Sequence, residues 1–238
     1  MIRIKNINKF YGKKQVLTDL SFAIETDKKS VYGIVGPNGA GKTTIIKIIM
    51  GLLKFTSGSI TVDSETNYDV WCKDNIVLVP SGERGLHYKN SVFDNIMFFS
   101  AMKGVPDYVT REKISEYAAL LNFEEFLPRR VETLSMGQKK KTMILCGLCT
   151  DMKIIIMDEP SNGLDVDAQE EMKIVIEKLT KTLDKTIVIS SHDLDFLSEM
   201  TDHYIFLFEG TCQKVLTEKH DAEYIRKEYM SIKESLER

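Results

Sequence analysis

The 238-residue sequence contains no uninterrupted apolar run of about 18 residues, the least that would suggest a bilayer span. If a membrane matters to its work, another chain supplies the span. Basic residues are not in excess either, at 32 Lys and Arg against 35 Asp and Glu. That balance argues against non-specific nucleic-acid binding as the main task, which needs a large basic surface. The opening Met-Ile-Arg-Ile-Lys-Asn has no apolar core and is not expected to be a secretory signal, so the chain is expected to stay inside the cell. The four cysteines are too few and too irregular for a disulfide framework. Cys146 and Cys149 form a C-x-x-C, but a metal or redox site of that kind wants a second close pair, and an i,i+3 pair on one helical face reads as core packing. Internal repeats, low-complexity segments and long coiled-coil heptads are also missing. What remains, at 43% hydrophobic and 28% charged, is the composition of an ordinary globular protein.

Along the chain, Ile2, Ile4 and Ile7 and then Phe22 and Ile24 read as strands flanking a turn at Tyr11-Gly12-Lys13-Lys14. Val31 to Val35 is a compact apolar run without alternation, as expected of a central parallel strand buried on both faces. A helical stripe follows from Thr43 to Leu52, and Thr56-Ser57-Gly58 reads as a turn. Ile76 to Val79 is a second buried strand, stopped by Pro80-Ser81-Gly82. Three helices then succeed one another without a strand, over Val92 to Met102, Arg111 to Asn122 and Met136 to Cys149, which suggests an inserted helical subdomain at about residues 84–150. Strands return at Ile154 to Met157, Thr186 to Ser190 and Tyr204 to Phe208, alternating with helices over Asp167 to Thr182 and Asp193 to Met200. Such alternation predicts a parallel α/β sheet. From about Asp221, Ile225, Tyr229, Ile232 and Leu236 recur at helical spacing, so one face of a C-terminal helix docks on the protein's own core or on a partner.

The chemistry concentrates in two places. Gly36-Pro37-Asn38-Gly39-Ala40-Gly41-Lys42-Thr43 matches G-x-x-x-x-G-K-[ST] and lies between a predicted strand and a predicted helix, the context that a phosphate loop requires. Its glycines let successive backbone N–H groups turn toward phosphate oxygens, and the helix adds its unpaired amides and positive dipole end. Lys42 supplies a charge between the β- and γ-phosphates, Thr43 a hydroxyl for Mg²⁺, and Thr44 a contact to the α-phosphate. Ile154-Ile155-Ile156-Met157-Asp158-Glu159 is a buried strand ending in two acids, a costly place for charge unless a metal-bound phosphate needs it. Asp158 is expected to hold Mg²⁺ and Glu159 to polarise the attacking water.

With those motifs in place, Leu134-Ser135-Met136-Gly137-Gln138 resembles the L-S-G-G-Q signature of the ATP-binding-cassette family. Pro160-Ser161-Asn162-Gly163-Leu164-Asp165 resembles the loop after that family's catalytic glutamate, and Ser190-Ser191-His192-Asp193 its switch-histidine segment. The resemblance runs in the family's order over about residues 1–213. It implies a P-loop NTPase fold of class α/β, with a parallel sheet core, an N-terminal antiparallel β subdomain and the inserted helical subdomain, leaving residues 214–238 as a helical tail. It further implies binding of ATP and Mg²⁺, Ser135, Gly137 and Gln138 capping the nucleotide held by an opposite cassette, His192 sensing the γ-phosphate, Asp165 crossing the dimer interface and Tyr11 stacking on adenine. Ser135 also heads a predicted helix, a plausible anion site on physical grounds. His87, His203 and His220 have no partner at ligand spacing and read as structural or solvated.

Two departures from the pattern stand out. Met136 takes the place of a signature glycine, and no glutamine follows the strand Ile76 to Val79. Ser81 by position or Glu83 by chemistry would replace that glutamine, and the Glu83-Arg84-Gly85-Leu86 segment is reminiscent of single-cassette export subunits. The function implied is a Mg²⁺-dependent ATPase subunit that energises an integral membrane permease as a head-to-tail, homodimeric cassette pair, on the inner face of the cell membrane and without nucleic acid. Its alternative is a soluble cassette machine such as an iron–sulfur assembly ATPase. The absent heptads disfavour a DNA-repair scaffold, a single phosphate loop disfavours a tandem-cassette translation factor, and intact Lys42, Asp158, Glu159 and His192 disfavour a degenerate regulator.

Overall fold

The computed structural model describes residues 1–26, 29–63, 67–82 and 85–237. Two antiparallel strands, β1 (Ile2–Tyr11) and β2 (Lys14–Ile24), are joined by the expected turn, with Tyr11 opposite Lys14. β3 (Val31–Val35) leads through the glycine-rich loop into α1 (Lys42–Ile49). The segment read as a turn at Thr56-Ser57-Gly58 is instead the start of a strand, β4 (Ser57–Val62), which pairs with β1 so that Ile2 faces Val62 and Ile4 faces Ile60. Its exposed positions are Ser57, Gly58, Ser59 and Thr61, so only two apolar residues mark it in the sequence. α2 (Tyr68–Asn75), which has no strong apolar stripe, precedes β5 (Ile76–Val79).

The three helices expected next are α3 (Val92–Met102), α4 (Asp107–Leu120) and α5 (Met136–Cys149). α4 begins one turn before the expected Arg111, because Pro106 stands at its N-cap and the opening turn is mostly polar. β6 (Ile154–Asp158), α6 (Val166–Lys181), β7 (Thr186–Ser191), α7 (Leu194–Met200) and β8 (His203–Phe208) then alternate as expected. β9 (Thr211–Leu216) returns antiparallel to β8, and α8 (Ala222–Leu236) closes the chain.

The main sheet runs β5-β6-β7-β3-β8-β9, parallel except at β9, and the second sheet is β2-β1-β4. Each central strand is buried on both faces. Ile155, Met157, Ile187 and Ile189 join a core with α5, α6 and α7, while Ile34, Ile154, Ile156 and Val188 join a second core with α1 and the antiparallel sheet. α8 docks on the protein's own core: Ile225 is fully buried and the Tyr229 ring lies 5.0 Å from that of Phe208. Because β3, β6 and β7 are parallel neighbours, their carboxyl ends open on one edge, and that edge is where ligand crevices form in such sheets.

Candidate active site

At the end of β3 the chain runs so close to β8 that a Cβ on Gly36 would stand 2.0 Å from the Leu207 carbonyl oxygen. Gly41, with φ of 103°, takes the left-handed conformation that turns the loop into α1, which thus begins at Lys42 with its first-turn amides unpaired within the helix. Lys42 is buried; its Nζ donates to the carbonyls of Gly36 (2.7 Å) and Pro37 (3.2 Å) and lies 3.5 Å from Glu159 Oε1.

The end of β6 meets this loop from the side. Asp158 is buried, and its carboxylate accepts from Ser190 Oγ on β7 (2.6 Å) and from Thr43 Oγ1 (3.2 Å). The adjoining Glu159 adopts φ of 52°, unusual for a residue with a side chain, and its N–H donates to the Ser190 carbonyl at 2.9 Å. Glu159 Oε2 lies 2.9 Å from His192 Nδ1 and accepts from Ser191 Oγ at 3.3 Å. One carboxylate is therefore set among a lysine, a histidine and a hydroxyl, where it can orient a water and take its proton. The Thr43 hydroxyl and the Asp158 carboxylate, touching each other, are hard oxygen donors of the kind that fit Mg²⁺, an ion that keeps several waters and takes further oxygens from phosphate.

Lys42, Thr43, Asp158 and Glu159 line a cleft of about 720 Å³ together with Tyr11, Pro37, Asn38, Gly39, Gly41 and Thr44. Tyr11 stands half-exposed at its rim, with the Lys9 ammonium 5.1 Å from the ring centroid. Gly36 and Ala40 lie behind the lining, Gly36 through the carbonyl that Lys42 grips and Ala40 through a carbonyl that accepts from the Gly210 N–H (3.1 Å). His192 reaches the cleft through Glu159. Ser81 lines it, whereas Glu83 and Arg84 lie outside the described residues.

Ser135, Gly137 and Gln138 are not brought to that cleft. Ser135 caps α5 in a reciprocal box, its Oγ accepting from the Gln138 N–H (3.3 Å) and the Gln138 side-chain oxygen accepting from the Ser135 N–H (2.9 Å). The Ser135 hydroxyl proton is left to donate elsewhere. A Cβ on Gly137 would meet that of Ala168 at 3.5 Å, so α5 lies close against the start of α6, where Asp165 is the N-cap and accepts from the Ala168 N–H (2.8 Å).

Several residues at the site had no role in the sequence reading. Lys14, Gln15, Asn162 and Glu209 line the cleft, and Ser190 and Ser191 hold the two acids. Lys140 on α5 is buried and donates to the Pro160 carbonyl (2.6 Å) and the Asn162 carbonyl (3.0 Å); loss of hydration pulls its pKa down to about 8, partly countered by the charge of Glu159. It sits in a Lys-Lys-Lys run that reads as solvated, but it falls four residues before Ile144 and eight before Leu148, both buried, and that helical stripe is the signal that could have found it.

The remaining histidines are packing residues. His203 stacks on Tyr32, His220 on Tyr224, and His87 meets Phe98 edge to face. Cys146 and Cys149 are buried in the core, and no metal-ligand cluster occurs among the described residues.

A family model described as ABC transporter matches residues 17–162. The lantibiotic transport ATP-binding protein SrtF of Streptococcus pyogenes is 35% identical over 221 residues, 92% of this chain and 90% of that one. The oligosaccharides import ATP-binding protein MsmX of Bacillus subtilis is 28% identical over 94% of this chain and 61% of its own length. Among solved structures, cbiO1 of Clostridium perfringens, part of the ABC transporter complex cbiONQ, superposes with a TM-score of 0.83 at 24% identity, over 98% of this chain and 93% of that one. A dimeric post-hydrolysis state of the cassette MJ0796 bound to ADP and Pi superposes with a TM-score of 0.76 at 24% identity, over 91% of this chain and 98% of that one.

Proposed function

The chain belongs to the ABC transporter family and is an ATPase subunit of a transporter, and from that premise we propose that it works as a head-to-tail homodimer that drives an exporting membrane permease. ATP lies in the cleft with adenine on Tyr11 and its phosphates on the loop Gly36 to Gly41, Lys42 facing the β/γ-phosphates and Thr44 the α-phosphate. Thr43 and Asp158 hold Mg²⁺, which when bound offsets phosphate charge. Glu159 orients the attacking water and takes its proton, His192 steadies that carboxylate and reads the γ-phosphate, and Ser81 stands where it can touch the same water. The observation that carries the reading is the division of the motifs: Lys42, Asp158 and Glu159 converge on one cleft, while Ser135, Gly137 and Gln138 line none of it and so have a second copy's nucleotide to cap. On this reading residues 1–213 are the cassette, with an inserted helical arm at about 84–150, and residues 214–238 its appended tail.

No helix among the described residues is long and apolar enough to cross a membrane; on this reading the permease is a separate chain and this subunit its partner on the inner face of the membrane. An apolar groove of about 190 Å³ between Val77, Leu78, Phe99, Met102 and Met143 lies where α3 and α5 meet β5, and suits a short helix of the permease. Export is favoured by the Glu83-Arg84-Gly85-Leu86 segment and by 35% identity to the lantibiotic transport relative against 28% to the oligosaccharide importer. A cross-linker placed at exposed Asn90 in native membranes is expected to capture an integral membrane protein that stimulates turnover, and everted vesicles carrying the pair to accumulate substrate on ATP addition. Capture of soluble proteins alone would transfer the reading to a soluble cassette machine.

A further inference from the structure

A buried ammonium is costly unless each of its N–H donors finds an acceptor. Lys140 meets that demand entirely with backbone: the carbonyls of Pro160 at 2.6 Å, Asn162 at 3.0 Å and Glu159 at 3.5 Å. All three belong to the loop that presents the Glu159 carboxylate to the cleft. Glu159 itself is held in the left-handed region at φ of 52°, a strained conformation that persists only where its surroundings over-determine it. Its N–H is tied to β7 through the Ser190 carbonyl, and Lys140 is what grips the other end of the same residue. One turn earlier on α5, the Met136 methyl lies 3.5 Å from where a Cβ on Gly163 would stand, so the helix that begins at Ser135 holds this loop at two points.

We propose that Lys140 is a positioning residue of the ATPase: it fixes the Glu159–Asn162 backbone so that Glu159 faces the attacking water, and with Met136 it makes the signature helix and the catalytic loop move as one body. The proposal rests on Glu159 as the base. It gives Met136, which stands in place of a signature glycine, and the buried Lys140 a shared consequence: closure of the second copy on Ser135 is felt at the carboxylate of the same chain.

Glu159 is the charged group that faces Lys140 from the strand end, and Lys139 lines the adjoining pocket from its own helix. Val79, Pro80, Gly82 and Leu86, on the opposite wall, carry no charge. The ammonium is thus present below about pH 8 and lost above it, and the grip weakens in the same direction.

The test compares the wild type, Lys140→Met and Glu159→Gln in Mg²⁺-ATP turnover and in titration with a fluorescent ATP analogue. Lys140→Met is expected to lower kcat at least about tenfold at pH 7 with nucleotide affinity within about twofold of wild type, since it disturbs placement and not binding. Wild-type kcat is expected to fall as the pH rises through about 8, a limb that Lys140→Met lacks. The wild-type profile stands as a test even if the variant folds poorly. A Lys140→Met enzyme with wild-type kcat beside an inactive Glu159→Gln, or a wild-type kcat that is flat from pH 7 to 9, would overturn the proposal. If Glu159→Gln is itself fully active, the base assignment fails instead.

Discussion

The phosphate-loop edge and the signature end of α5 carry motifs of similar length, yet they are built in opposite ways. At the loop edge the chemically central side chains have partners of their own chain that aim them into one cleft: Lys42 on Gly36 and Glu159, Thr43 on Asp158, Glu159 on His192 and Ser191. At the signature end, Ser135 and Gln138 bond each other as a helix cap, and neither lines that cleft. In the head-to-tail pairing proposed above, the signature end of one chain would cap the cleft of the other.

Substitutions should separate the two regions. The largest effect is expected from Lys42→Ala, which removes the charge facing the β/γ-phosphates and should abolish tight ATP binding in equilibrium titration; near-normal affinity would break the assignment of this edge. Glu159→Gln should lower turnover by roughly 10²- to 10⁴-fold while nucleotide affinity persists, as expected for loss of a general base. Ser135→Arg should spare ATP affinity of the isolated chain within about threefold but reduce turnover at least about tenfold, because it places bulk and a side-chain charge at the proposed contact between copies and not in the cleft. Equal losses of affinity and turnover would show that the signature acts in its own chain.

Alkaline pH should act on the signature half through its core. Burial raises the Cys146 thiol pKa and pushes that of Cys149 up to about 12, both on α5. With the folded values above the unfolded one of about 8.5, the neutral thiols contribute stability that is complete below that value and lost as the pH climbs toward about 12. The melting temperature of wild type should therefore fall more steeply between pH 8 and 10 than that of Cys149→Ala. The smallest effect is expected at Met136→Gly, below about 1 kcal/mol of stability because this is the first helical position and not the interior, read from denaturant midpoints.

Much of this contrast was legible in the residues. The glycine loop between an apolar run and a helical stripe, and two acids closing a second apolar run, have strong local signals, and β3, α1 and β6 lie where those signals put them. β4 was not legible because it alternates around only Ile60 and Val62, and its Ser-Gly start looks like a turn until β1 is there to pair with it. Ser190 and Ser191 belong to the histidine segment but show no role in the sequence, since their grip on Asp158 and Glu159 depends on β7 lying beside β6, which is tertiary information. Lys140 was hidden by composition: three successive lysines resemble a solvated face, and only the helical period, which puts Lys140 in line with buried Ile144 and Leu148 and Lys141 with buried Leu145, shows that two of them are buried.

Mixing two crippled chains tests completion of the site in trans most directly. Glu159→Gln and Ser135→Arg are each expected to be nearly inactive as homodimers. In a mixed dimer, one of the two sites joins the intact Glu159 of one chain to the intact Ser135 of the other. Mixing equal amounts should therefore restore about a quarter of wild-type turnover, half of the dimers being mixed and each having one sound site. Mixed dimers of twice the monomer mass by light scattering, formed with ATP yet without recovered turnover, would contradict the account.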